Sequence, residues 1–589
     1  MNIDKIKIHN WRSIPDIEID FQDLMIFIGQ NNSGKSNIIS SLLYFFGNIA
    51  QNDLDFHDNT TQLFVEVTFT NLDEFDKNQF KKYLSSDNKI CVRKSAEKGG
   101  EVSYNGYLFS PKDEFLKEES TSWKREELEN TPLQDYLPKS GRLTKDIVRA
   151  AQEEYINANK ESVELDYKLE TTNFLGAKSV AKGIFGDVYF IPAVKSATDE
   201  FKTTGSTIFN QLFTQIISKM SEQNEHYKNA RLQMLALTEI LNKVKSDGNE
   251  NTERPIEIKT LEANLEEELK KWNTTIDIEI TPPNIDDVLK VNTNIWVDDG
   301  KKTDIGRKGH GLQRSLIFAL IKSWANYLKA DRVAKAAEEN EEDKPKRKSS
   351  DSTYFFFEEP ELFLHPQAQR ELYNSLKILA EANNQVVLCT HSSSFLDLED
   401  YKSICIVSKE NSKTTIKQFT SELFTADEKT NFNLVYWLNP ERSELFFASK
   451  VILVEGATDK TIIPILAKNI GQYKFQYSIV ECGGKDSIKL YVKLLNCFKI
   501  PYVAVYDKDH QAYKGQDAKN SADISSNHIE QEIDSTIGKT VILDNDIEEE
   551  VGIQGKQDKN KPFIALQEVS KSDFEITASL TEKIKEIYA

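Results

Sequence analysis

Polar and apolar positions alternate from the first residues onward. "IKIHNWRSI" (6–14) and "DIEIDF" (16–21) have the two-residue period of half-buried strands, and "LMIFIG" (24–29) is a fully apolar strand running into a glycine-bearing loop. After a helical stretch, "LFVEVTF" (63–69) repeats the alternation, and "VYFIPAV" (188–194) reads as a buried strand returning to the core. Residues 71–185 are charged and irregular, with no clear period. From about 205 to 272 the period changes to that of helices. Ile208, Leu212 and Ile216 recur every four residues, as do Leu261, Leu265 and Leu269, giving stripes that would face partner helices in a hairpin or a dimer. Strands resume with "IDIEI" (276–280) and "NIWVDDG" (294–300), and a helix is expected over 311–330. "AEENEEDKPKRKSSDS" (337–352) reads as a solvated loop. "YFFFEEPELFLHP", a helix and "QVVLCTHSS" then form an α/β succession.

From about 440 a second unit opens. Strand "KVILVEG", helix "TDKTIIPILAKNI", strand "YSIVECGG", helix "SIKLYVKLL" and strand "YVAVYDKDH" make a β-α-β-α-β run, which predicts a parallel sheet with right-handed crossovers. In total the chain has 589 residues, too many for one core, so two to four domains are expected. No apolar run approaches the roughly 20 residues of a membrane span, and the N-terminus has no signal-peptide core. Five cysteines without C-x-x-C spacing read as reduced thiols in a cytoplasmic protein. A net charge of −20 argues against nonspecific coating of nucleic acid, but it leaves room for a local basic groove in a nucleic-acid enzyme.

Chemistry is concentrated in two places. "GQNNSGKS" (29–36) fits G-x-x-x-x-G-K-[ST], with a strand before it and a helix after it. Gly29 and Gly34 let successive backbone N–H groups face phosphate oxygens, Lys35 would reach the β- and γ-phosphates, and Ser36 would ligate Mg²⁺. Such a loop needs an acidic strand end. "YFFFEEP" supplies Glu358 for the Mg²⁺ shell and Glu359 to activate the attacking water, provided the strand ends between them, as Pro360 favours. "KGHGLQR" (308–314) sets two glycines and a glutamine at a helix start, where backbone N–H groups would bind a γ-phosphate presented by a second subunit. "CTHSSSFL" puts His391 just past a strand, as a switch histidine touching that phosphate.

The second place is the end of the chain. Glu455 closes the strand "VILVEG", Asp459 follows four residues later, and Asp507 and Asp509 close "YVAVYDKDH". Strand ends of a parallel sheet open on one edge, so Glu455, Asp507 and Asp509 are expected to converge on one or two Mg²⁺ ions with oxygen-only ligation. The two glycines of "CGGKDS" (482–487) would let backbone approach a neighbour or substrate closely.

In this order, "GQNNSGKS", "GHGLQ", "EEPELFLHP" and "THSSSFL" resemble the ABC-type ATPase head of SMC-like and OLD-family (overcoming lysogenization defect) proteins. The resemblance implies ATP held between two heads by Gly29, Asn32, Gly34, Lys35 and Ser36 of one, and by the signature loop Gly309, Gly311 and Gln313 of the other. The chain departs from the pattern in having His310 for the usual Ser, Leu312 for the second Gly, and Glu358 for the usual Walker B Asp. Residues 448–585 resemble the Toprim fold, placed after the head as in OLD nucleases such as those of Gabija systems or retrons. The match extends to "NPERSELFFASKVILVEG" and "LDNDIEEEVGI…KNKPFIAL". It implies that Glu548 completes the metal shell, with Glu549 and Glu550 as competitors for that role. Lys561 would reach the scissile phosphate.

The expected architecture is therefore α/β: an SMC-like P-loop head over 1–204 and 273–440, an inserted helical dimerisation segment over 205–272, and a Toprim domain with a parallel sheet over 441–589. The expected function is an ATP-binding, metal-dependent DNA endonuclease or nickase of anti-phage defence. One Mg²⁺ is expected at the ATP site and two Mg²⁺ or Mn²⁺ in the Toprim site, with phosphodiester hydrolysis flanked by ions about 3.5–4 Å apart. A homodimer or homotetramer is expected. A UvrD-like helicase, or a retron reverse transcriptase with its msDNA, would be the partner; no membrane is involved. The alternative is an SMC-like DNA-bridging ATPase whose Toprim unit is an inert docking module. A type II-like topoisomerase or a primase is the weakest reading; the former predicts a covalent Tyr–DNA adduct and a DNA-gate region for which the chain has little room.

Overall fold

The computed structural model describes residues 1–58, 60–159, 162–177, 180, 183–193, 201, 207, 209–210, 213–214, 216–217, 224–245, 249–269, 275–280, 295–313, 315–321, 323–324, 327, 350, 352–381, 384–425, 442–553 and 560–589. Ile208, Leu212, Arg314 and nearly all of 337–352 lie outside the described residues. The chain divides into two compact units. One comprises Met1–Ile191, Glu342–Leu362 and Gln369–Ala589, and the other Pro192–Glu341 and Phe363–Ala368.

Among the described residues the first unit contains three sheets. The N-terminal alternation folds into an antiparallel sheet ordered Ile14–Asp20, Asn2–Trp11, Gln62–Thr70, Ile90–Glu97, Val102–Pro111, Leu165–Leu169. Its period-two pattern is visible in Gln62–Thr70, where Leu63, Val65, Val67 and Phe69 are buried and the residues between them are not. The irregular stretch after residue 71 thus supplies three more strands of this sheet. It also holds a small helical knot around Leu116, Leu128, Leu133 and Val148, which has its own core.

The second sheet is ordered Lys413–Gln418, Ile404–Glu410, Leu24–Ile28, Asn384–Thr390, Thr353–Glu358, Asp187–Ile191. All neighbours are parallel except the hairpin Ile404–Glu410/Lys413–Gln418. The helix Lys35–Phe45 buries Ile38, Ile39, Leu42 and Phe45 in a core that also takes side chains from both sheets. Leu24–Ile28 is buried at every position, as a central strand covered on both faces must be.

The third sheet is wholly parallel and ordered Tyr477–Glu481, Lys450–Val454, Tyr502–Asp507, Gly538–Leu543. The strands ending at Glu455 and Asp507 are two β-α units apart in the chain, yet they are immediate neighbours in the sheet, because the crossover strand Tyr477–Glu481 lies outside them. The helices Ala457–Asn469, Lys561–Val569 and Ala578–Tyr588 close one face through Ile462, Leu466, Ala565, Leu580 and Ile584.

In the second unit, the helices Glu225–Leu241 and Ile256–Glu268 lie within the predicted helical block. The stripe residues Ile216, Leu261 and Leu265 are exposed in the single chain. "IDIEI" forms no strand. Ile278 N–H donates to Glu262 at 2.8 Å and Ile280 N–H to Asn242 at 2.7 Å, so helix side chains take the backbone donors that a strand would give to a neighbour. Arg254 holds Glu262 through two hydrogen bonds of 2.7 Å and also donates to Ile278 O at 3.0 Å, fixing the segment further. A short hairpin, Trp296–Asp298/Lys302–Asp304, precedes the "GHGLQ" loop. Among the described residues no helix is long and apolar enough to cross a membrane.

Candidate active sites

Parallel strands bring the first set of residues to one edge. Ile28, Thr390 and Glu358 end three adjacent parallel strands, Ile28 opposite Thr390 and Glu358 opposite Cys389, so the loop after Ile28, His391 and the two glutamates share the carboxyl edge of the sheet. The loop's shape depends on glycine. Gly29 has φ +148°, and a Cβ there would stand 2.0 Å from the Val407 carbonyl oxygen. Gly34, with φ +112°, lies equally tight against Thr414. Thr414 fastens the loop by donating to Ser33 O at 2.9 Å, and its own N–H donates to Ser13 O at 2.8 Å.

Lys35 is buried, and its Nζ donates to the Gly29 and Gln30 carbonyls at 3.0 Å each. Burial pulls its pKa down, while Cys389, Glu359 and Glu361 pull the other way. Ser33 Oγ is buried without a hydrogen-bond partner, Asn32 sits at φ +63°, and Ser36 is exposed at the helix start. An orphaned hydroxyl, a buried cation bonded only to loop carbonyls and a helix N-terminus suit a phosphate chain.

The strand Thr353–Glu358 ends between the two glutamates. Glu359 takes φ +42°, which turns it off the strand, and its N–H donates to Cys389 O at 2.8 Å. His391 Nε2 lies 3.6 Å from Glu359 Oε1. Burial and Lys35 lower the pKa of His391, so it is neutral at pH 7. Glu361 was not anticipated from the sequence: it accepts the His391 N–H at 2.5 Å, and burial raises its pKa. The last acid of "EEPE" is the only sequence hint of it.

In the other unit, Gly309 and Gly311 flank His310 at a helix start with open space around Gly309. Gln313 does not reach outward. Its Nε2 donates to Lys308 O at 2.7 Å, which ties the loop to itself, and His310 stacks on Phe363.

The second set gathers at the carboxyl edge of the four-stranded sheet. Glu455 accepts the Asp507 N–H at 2.7 Å, and Gly484 N–H donates to Glu455 O at 2.9 Å. Gly484 has φ +135° and no atom within 4 Å of where a Cβ would stand. Conformation rather than crowding therefore requires this glycine. Asp459, in the first turn of Ala457–Asn469, accepts the Gly456 N–H at 3.1 Å. Its Oδ1 and Asp507 Oδ1 are buried without a hydrogen-bond partner.

Burial, then the neighbouring carboxylates, raises Glu455 and Asp459 to about 7 and pushes Asp507 well above the carboxylate range. Asp509, at φ +64°, is held by Lys514. Of the three consecutive glutamates, Glu548 faces the cluster and pairs with Lys561 at 3.3 Å. Glu549 accepts from Asn545 at 2.6 Å, and Glu550 pairs with Lys583 at 2.5 Å.

Three further side chains join the cluster unannounced. Asp546 caps the Ile547–Glu550 helix and adds negative charge beside Asp459 and Asp507. Lys485 donates to Asp507 O, and Lys514 holds Asp509. Asp546 and Glu548 repeat the one-residue spacing of Asp507 and Asp509 after an apolar strand, and that was the signal for Asp546. Among the described residues no three or more His, Cys, Asp or Glu side chains are placed to hold a metal ion as they stand. The donor set is still that of a hard cation, since clustered buried carboxylates with orphaned oxygens are relieved by a divalent ion.

Comparison with known proteins decides what these two sites belong to. The AAA ATPase domain family matches residues 1–396, and the TOPRIM domain of overcoming lysogenization defect protein-like proteins matches residues 446–509. The chain belongs to the OLD family. The Old nuclease of Escherichia phage P2 is 24% identical over 522 residues, spanning 86% of this chain and 76% of that protein. The OLD nuclease of Thermus scotoductus is 28% identical over 223 residues, or 35% of this chain and 42% of that protein. Endonuclease GajA of Bacillus cereus is 27% identical over 237 residues, or 36% of this chain and 33% of that protein. An OLD-family pairing of ATPase and Toprim domains brings nucleotide and divalent-metal use with it.

Proposed function

We propose that this chain is an ATP-controlled, divalent-metal-dependent DNA endonuclease or nickase of anti-phage defence. The observation that carries the reading is the meeting of Glu455, Asp459, Asp507, Asp509 and Glu548 on one sheet edge, with Lys561 beside them. The nuclease and endonuclease names of its relatives support it. These carboxylates would hold two Mg²⁺ or Mn²⁺ ions, which when bound would acidify a water and neutralise the scissile phosphate.

Around them, the Gly456 and Asp507 N–H groups orient Asp459 and Glu455, and Lys485 anchors the Asp507 carbonyl. Lys561 would leave Glu548 for a phosphate oxygen and offset charge in the transition state. The water oxygen adds to phosphorus as the P–O3′ bond breaks, yielding a 3′-hydroxyl and a 5′-phosphate.

At the head, Gly29, Asn32, Gly34, Lys35 and Ser36 would bind ATP, with one Mg²⁺ shared by Ser36 and Glu358. Glu359 would orient the attacking water and His391 sense the γ-phosphate. Gly309 and Gly311 of a second copy would complete the site through backbone N–H groups, and Gln313 would shape that loop rather than touch the nucleotide. This requires at least a homodimer, and pairing of dimers would give a homotetramer. The partners that the resemblance implies, a UvrD-like helicase or a retron reverse transcriptase with its msDNA, would supply the trigger.

The test is cleavage of supercoiled plasmid with Mg²⁺ or Mn²⁺, with and without ATP. The native chain should nick or cut, and Glu455→Ala and Asp507→Ala should fall at least a hundredfold. Equal cutting by the variants would sink the assignment.

A further inference from the structure

The amino edge of the four-stranded sheet, opposite the carboxylates, carries an unusual surface. Residues 461–480 contain no Asp or Glu, in a chain that has 94 of them and a net charge of −20. From this stretch and the adjoining strand starts come four lysines, three of them over aromatic rings. Lys450 lies 5.6 Å and Lys474 5.0 Å from the centre of the Tyr477 ring, and Lys468 lies 4.8 Å from that of Tyr473. Lys539, at the start of its strand, is close enough to Lys450 to act on it as a like charge, as does Lys474.

The rings are held in place from behind. Tyr477 stacks on Tyr588 at 5.8 Å and 7°, and Lys474 anchors to Tyr588 O at 2.6 Å. Phe475, next to Lys474 in the chain, is 86% exposed, and Tyr473 is 42% exposed. An aromatic side chain left that open beside clustered ammonium groups has no role in the core described above.

We propose that this surface is a binding site for single-stranded DNA, holding an unpaired stretch of the substrate away from the point of cleavage. Lysines on and beside a segment without acids match the phosphate backbone, and the exposed Phe475 and Tyr473 rings offer faces on which unpaired bases stack whatever their sequence. A duplex keeps its base faces covered and would gain only the charge contacts. The strand Lys450–Val454 spans five residues, so the site stands about 17 Å from Glu455 along the strand axis. Contacts made there add to substrate binding without touching the reacting phosphate. The identity of the ligand rests on the DNA-cleaving reading, whereas the binding itself does not.

The experiment uses the full chain in EDTA and a fluorescein-labelled oligonucleotide of about 20 nucleotides, single-stranded or annealed, followed by anisotropy. The single strand should bind more tightly than the duplex. Phe475→Ala should weaken single-strand binding roughly tenfold while leaving duplex binding nearly unchanged. Lys450→Gln/Lys539→Gln should reduce the slope of log affinity against log salt by about 1.4. In plasmid cleavage with metal, the same variants should raise KM and keep kcat.

Unchanged single-strand affinity in both variants overturns the proposal, as does equal loss for duplex and single strand in Phe475→Ala. A change in sedimentation without a change in DNA binding overturns it too, by making the face a subunit contact. If the native chain cuts nothing while these variants still lose the oligonucleotide, the cleavage reading fails and the site stands. If Glu455→Ala abolishes cutting while these variants bind normally, the reverse holds.

Discussion

Glu455 and Asp459, both raised to about 7, make the Toprim cluster sensitive to pH in a definite direction. Their folded pKa values lie above the ordinary carboxylate range, so burying them in protonated form favours the fold at low pH. That contribution is fully present below about 4 and is lost as pH rises through about 7. A divalent cation must displace the same protons, so its affinity climbs over the same window and levels off above it. The metal-free chain should therefore melt at a higher temperature at about pH 6 than at pH 8. The rise in melting temperature on adding Mn²⁺ should be larger at pH 8. Asp459→Asn should flatten both trends. A metal-free melting temperature that rises from pH 6 to 8 would show that these carboxyls are not held protonated by burial.

At the scale of elements, the hairpin Ile404–Gln418 shapes the nucleotide loop, because Val407 O and Thr414 occupy the space next to Gly29 and Gly34. Gly29→Ala must move that strand or abandon φ +148°. It should cost about 2–3 kcal/mol of stability and lose ATP binding, read by chemical denaturation and by isothermal titration. Full binding with native stability would mean the loop does not depend on this contact.

Elements were also where the sequence was easiest and hardest to read. The strands ending at Glu455 and Asp507 were legible because apolar runs stop abruptly at acids. Their adjacency was not, since chain order does not reveal which strand of a parallel sheet lies outermost. "IDIEI" has the alternation of a strand, but Glu262 and Asn242, remote in sequence, claim its N–H groups. Among Glu548, Glu549 and Glu550, the choice is set by the helix phase that Asp546 fixes when it accepts the Glu549 N–H at 2.8 Å. No periodicity signals a one-turn helix. Glu361 and Lys514 act through loop conformation, and local pattern carries no record of that.

At the scale of the whole molecule, the P-loop and the glycine signature lie in different compact units, and the unit with the signature also exposes Leu261 at 50% and Leu265 at 39%. Exposed leucines one helical turn apart form an apolar stripe that association would bury. Leu261→Lys/Leu265→Lys should shift the chain from dimer or tetramer toward monomer in sedimentation velocity. The P-loop is in the other unit, so each monomer should still bind ATP with Lys35 in place. Hydrolysis should fall sharply, because no second copy would bring Gly309 and Gly311 to the γ-phosphate. This pairing of intact binding with lost turnover separates a broken interface from a misfolded chain, which would lose both. If the native chain sediments as a monomer with and without ATP yet hydrolyses it at full rate, the two-head arrangement is wrong and the site must be complete within one copy.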